Sequence, residues 1–114
     1  MVLVKATVDS EQNQPAAPDP AMMAAMTQYN TALREAGVLI AAEGLKPTSE
    51  GFRIHVDGEA RTLLPGPFLP PQEQVAGFWL WEVRDMDEAL EWARRCPNPM
   101  PGPSDIEVRP LHTL

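Results

Sequence analysis

His55 and Glu73 are the residues of this 114-residue chain best suited to acid–base chemistry. A free imidazole titrates near pH 6.5, so His55 can take or give a proton around neutrality. It sits in the alternating run Phe52-Arg53-Ile54-His55-Val56, on the same polar side as Arg53. Glu73 follows a proline-rich stretch, where it can assist His55 as acid or orienter, or bond loop N–H groups. Arg53 or Arg109 can hold an anion. Glu107 and Arg109, two apart in one extended run, share a face and can ion-pair or clamp a carboxylate. A second set suits an apolar ligand: Met22, Met26 and Tyr29 at helical spacing, with Phe68 and Trp79. Methionine adapts to flat or irregular shapes. The same spacing also describes a plain core stripe, and Trp79, Trp81 and Trp92 suit core and interface anchors.

Other chemistries find no support. The two histidines, His55 and His112, and the one cysteine, Cys96, lack metal-ligand spacing. No glycine-rich phosphate loop and no G-x-S-x-G elbow occurs, so no cofactor is expected. A net charge of −7 argues against nucleic acid and anionic membranes, which call for a basic footprint. One cysteine permits no intrachain disulfide and points to a reducing, cytoplasmic setting. The opening MVLVKATVDS lacks the apolar core and cleavage site of a signal peptide, and no run reaches membrane-spanning length. The length fits one domain spanning residues 1–114.

The elements that must position these side chains follow from periodicity. Val2 to Val8 reads as a first strand, and Ser10 to Pro18 as a loop. Asp19-Pro20 starts a helix, with a capping carboxylate and a proline that needs no N–H. Met22, Met26, Tyr29, Leu33 and Ala36 form its apolar stripe, and Gly37 ends it. Val38 to Ala42 is a short strand, and Gly44 to Gly51 a turn-rich connection. Phe52 to Val56 and Ala60 to Leu64 form a hairpin about Asp57-Gly58. Pro65 to Pro71 is a loop anchored by Phe68, since proline removes donors and restricts its neighbours.

The stretch from Gln74 to Pro97 organises the rest. Val75 to Val83 is apolar on both faces, which a half-covered antiparallel strand would not be. A helix follows, opened by Asp85 and Glu88 as a capping-box-like pair and carrying Met86, Ala89, Leu90 and Ala93 inward. Glu91 and Arg95 can pair at i,i+4 on its wet face. Alternating prolines from Pro97 to Pro103 make a stiff extended segment, and Ile106 to Val108 an edge strand before Pro110. This order is the split βαβ, ferredoxin-like α+β layout with an added hairpin. Two helices cover one face of such a sheet. The other face, expected to carry Arg53, His55, Glu107 and Arg109 with part of the aromatic strand, must meet solvent or a second copy.

GVLIAAEGLKP, Gly66-Pro67-Phe68, EQVAGFWLWEV, DMDEALEWARRCP and IEVRPL, in this order, resemble the DGPF or YCII-related domain family. The resemblance implies ferredoxin-like subunits that pair sheet to sheet as a dimeric α+β barrel. It implies a His–Asp pair in the YCII branch and cofactor-free lyase activity in a few relatives. Where that histidine would fall, this chain holds Met22, Met23 and Met26. Pro65 stands where an acidic residue usually precedes GPF, and Pro70 and Gln72 replace the next charged positions, leaving Glu73.

Two functions follow as expectations. One is a homodimer holding a small, partly apolar organic molecule in a cleft lined by Met22, Met26, Tyr29, Arg53, Phe68, Trp79, Glu107 and Arg109. The other is a cofactor-independent lyase or isomerase, with His55 as base and Glu73 as helper, acting on a small organic acid or aromatic substrate.

Overall fold

A computed structural model describes residues 1–12 and 19–112. The expected loop from Ser10 to Pro18 therefore lies partly outside the described residues. Four strands form one antiparallel sheet: β1 (Val2–Lys5), β2 (Leu39–Gly44), β5 (Val75–Trp81) and β6 (Ile106–Val108), in the order β2-β5-β1-β6. Strands β3 (Phe52–Asp57) and β4 (Ala60–Pro65) form a separate two-stranded sheet. The helices are a single turn, α1 (Val8–Glu11), then α2 (Pro20–Glu35) and α3 (Met86–Arg94). With the hairpin set aside, this is the expected α+β topology, with β6 at an edge.

Helix α2 starts where its sequence dictates, with the Asp19 carboxylate accepting from the Ala21 N–H at 3.0 Å. It ends at Gly37, whose φ of 73° is left-handed and costs glycine nothing. Tyr29 and Leu33 are its buried residues, packed with Val2, Val4, Val38, Trp79 and Trp81. Ala36, expected in this stripe, is exposed as the helix's C-terminal cap. Tyr29 is the hub of the aromatic cluster, edge-on to Trp79, Trp81 and Trp92 at centroid distances of 5.8, 6.4 and 6.4 Å. Its hydroxyl donates to the Trp92 carbonyl at 2.5 Å, joining α2 to α3.

Several local expectations are corrected. The first strand stops at Lys5 rather than running to Val8, because Thr7 caps α1 by a reciprocal pair of bonds with Ser10. Asp85 caps α3, but Glu88 does not complete a capping box. Its carboxylate instead holds the Arg84 guanidinium at 2.6 Å. Arg95 lies over the Trp92 ring, 3.9 Å from its centroid, in place of a pair with Glu91. Met86 and Leu90 remain exposed, and Ala89, Trp92 and Ala93 form the packed side of α3.

The largest correction concerns the hairpin. Arg53 and His55 do not share the open face of the main sheet with Glu107 and Arg109, because among the described residues β3 pairs only with β4. Every hairpin residue is exposed, with Phe52 at 66% and Leu63 at 59%. On the main sheet the open face carries a row Glu43–Phe78–Leu3–Glu107, read across the register of four strands. Its apolar centre is flanked by two acids.

Candidate functional site

The hairpin is moored by a corner built from the Gly66-Pro67-Phe68 run. A Cβ on Gly66 would lie 1.8 Å from the Thr48 carbonyl oxygen, so only glycine fits against that backbone. The Thr48 hydroxyl accepts from the Phe68 N–H at 3.0 Å and donates to the Glu11 carboxylate at 2.8 Å. Arg53 stacks on the Phe68 ring, 3.8 Å from its centroid, and donates to the Gln74 amide oxygen at 3.0 Å. Gln74 is buried and donates in turn to the Pro70 carbonyl. Arg53, Phe68 and Glu73 line a wide depression here. The guanidinium's stacking and its bond to Gln74 make it a fastener of this corner.

Of the other residues singled out for chemistry, His55 stands on the exposed hairpin opposite Thr62. Among the described residues, no side chain bonds its ring. Glu73 takes part through its backbone, its carbonyl accepting from Lys5 Nζ at 3.0 Å. Glu107 and Arg109 form an exposed pair at 3.7 Å at the end of the edge strand. The candidate residues therefore fall into separate places: the hairpin, its mooring corner, the β6 edge and the core side of α2.

That core side holds an apolar cavity of about 270 Å³. Its origin lies in two glycines. Gly44 of β2 and Gly77 of β5 face each other across the ladder, beside Val4 of β1, so two adjacent strands contribute no side chain at this level. Around that bare floor stand Met26 and Asn30, one helical turn apart on α2, with Trp79 from β5 and Met100 from the proline-rich segment. The Thr7 hydroxyl donates to the Met100 sulfur at 3.6 Å. A Cβ on Gly77 would come within 2.9 Å of the Glu43 carbonyl oxygen, whereas one on Gly44 would meet nothing within 4 Å.

The polar furniture is sparse. Trp79 Nε1 donates to the Asn30 amide oxygen at 2.8 Å. The indole N–H can only donate, so Asn30 must turn its oxygen to it. Met26 and Trp79 were singled out in the sequence, and the fold brings them together here. Met22 lies half-buried one turn before Met26, and Tyr29 is spent on the core and its bond to Trp92. Burial pushes the Tyr29 phenol well above its ordinary pKa, which suits a structural hydroxyl. Asn30, Gly44, Gly77 and Met100 went unseen. The available signal was Gly77 inside a strand pattern, a mark of close approach or of room left open; Gly44 read as the start of a turn-rich connection.

The YCII-related domain model matches residues 1–112. The chain belongs to the YCII-related domain family. It is also 36% identical over 77 residues to an uncharacterised protein, R00369, of Rhizobium meliloti (strain 1021), a match covering 68% of this chain and 62% of that relative. The chain thus spans under two thirds of that relative's length. Within this YCII-related domain no helix among the described residues is long and apolar enough to cross a membrane.

Proposed function

We propose that this YCII-related domain binds a small, partly apolar organic molecule in the cavity over Gly44 and Gly77. The observation that carries the reading is the facing glycine pair, which leaves an open-mouthed apolar cavity of about 270 Å³ beside the packed core. A dry cavity of about 150 Å³ takes up benzene in another protein, so this volume suits a substituted single ring. The two methionines beside it can adjust to such a ring. A thermal-shift screen of single-ring compounds tests the reading, because a ligand that binds only the folded state stabilises it by about 2.7 kcal/mol at a hundred times its Kd. Hits should lose their shift in Gly44→Val, which fills the cavity. A screen without hits, or hits indifferent to Gly44→Val, contradicts it.

A cytoplasmic homodimer completes the proposal. In support, the open face presents Leu3, Phe78 and Leu80, and the hairpin exposes Phe52, Ile54, Val56 and Leu63. A two-stranded hairpin is marginal by itself, so a second copy lying against it is the natural stabiliser. Sedimentation velocity at micromolar concentration should show a dimer that Leu63→Lys weakens; a monomer at those concentrations contradicts it. An acid–base reaction with His55 as base, the alternative, would take place on the hairpin rather than in this cavity. His55→Ala separates the two: cavity binding should be unchanged, and only a hairpin reaction would be lost.

A further inference from the structure

We infer that the cavity selects a neutral ring bearing a carbonyl or carboxamide acceptor, and rejects the corresponding carboxylic acid. The inference rests on the binding reading above and adds its chemistry.

The decisive relationship is between Trp79 and Asn30. Because the Trp79 indole commits the Asn30 oxygen at 2.8 Å, the amide nitrogen is left as the other end of the same side chain. Among the described residues that nitrogen has no partner, and Asn30 borders the cavity. The site therefore offers a neutral donor of fixed orientation, braced by a buried tryptophan. Its natural complement is a neutral acceptor.

Charge decides against acids. Among the described residues no lysine, arginine or histidine lines the cavity, and Glu43, the ionisable residue along its wall, brings no positive charge to it. Residues 13–18, NQPAAP, carry no cation that could be brought to it. A carboxylate seated against this apolar floor would give up part of its hydration with no counter-charge in reach, a costly form of burial. The net charge of −7 opposes its approach as well. A carboxamide loses far less on desolvation and recovers a hydrogen bond from Asn30.

Matched single-ring probes test this by isothermal titration calorimetry of the intact protein: benzamide, benzoate, benzylamine and toluene. Benzamide should bind at least tenfold more tightly than benzoate and more tightly than toluene. Asn30→Asp keeps an oxygen for the Trp79 indole but replaces the donor with a negative charge. It should weaken benzamide at least tenfold and make benzylamine the tightest of the four. Benzoate binding the native protein as well as benzamide does would overturn the inference. So would toluene binding as tightly as benzamide, which leaves the cavity standing and removes the amide's role. If none of the four binds, the binding reading itself falls. The order measured on the native protein is decisive even if Asn30→Asp does not fold.

Discussion

Gly44 and Gly77 face one another across neighbouring strands, yet their surroundings differ. The space above Gly44 is empty, while a side chain on Gly77 would run into the Glu43 carbonyl. Gly44→Ala should therefore change stability by no more than about 0.5 kcal/mol. Gly77→Ala should cost about 1–3 kcal/mol, because strand backbone must shift. Urea unfolding of the two variants measures the contrast, and equal effects would contradict the assigned geometry.

The mooring corner predicts a sharper loss. At Gly66 even a methyl group would overlap the Thr48 carbonyl at 1.8 Å. Gly66→Ala should destabilise by about 3 kcal/mol or more. Arg53→Ala should cost much less, since it removes one stacking contact and one hydrogen bond at a partly wet site. Limited proteolysis should then show earlier cleavage within the hairpin for Gly66→Ala than for Arg53→Ala.

The two central tryptophans should respond differently to the same substitution. Trp79 Nε1 is bonded to Asn30, whereas Trp81 Nε1 is buried with no partner among the described residues. Phenylalanine at position 81 deletes an orphaned donor. At position 79 it deletes a satisfied one and strands the Asn30 oxygen. Trp79→Phe should be about 1 kcal/mol more destabilising than Trp81→Phe by chemical denaturation.

Alkaline pH should erode stability in two stages. Burial raises the Cys96 thiol from 9.0 to about 11, and burial likewise raises the Tyr29 phenol above its usual 10.0. Both groups are acids whose neutral forms the fold favours. Their contributions are complete below the unfolded pKa values and are lost as pH climbs through the folded ones. Stability should thus begin to fall near pH 9 through Cys96, with Tyr29 adding above pH 10. Cys96→Ala should remove the first stage and Tyr29→Phe the second. A flat profile from pH 9 to 11 in the native protein would contradict the burial of Cys96.

The order of elements was legible in the sequence because its signals are local. Asp19-Pro20 and Gly37 bracket α2, Asp57-Gly58 marks the hairpin turn, and Pro110 places the last strand at an edge. The hairpin's separation from the main sheet was not legible. Alternation in Phe52–Asp57 specifies a strand but not which strand it joins, and the mooring corner that holds it aside depends on Gly66 fitting against Thr48 from far along the chain. The site suffered most. Charged and titratable residues drew attention to His55, Glu73 and Arg109, while the cavity depends on missing side chains at Gly44 and Gly77 and on a neutral Asn30. Register brings these together, and register emerges only when the strands pair.

The most direct test of the cavity is methyl NMR of the protein labelled at its six methionines. Titration with benzamide should shift the Met26 and Met100 methyl resonances, leave those of Met1 and Met86 in place, and move none of the four in Gly44→Val. Shifts that persist undiminished in Gly44→Val, or that bypass Met26 and Met100, would show that the ligand binds somewhere else.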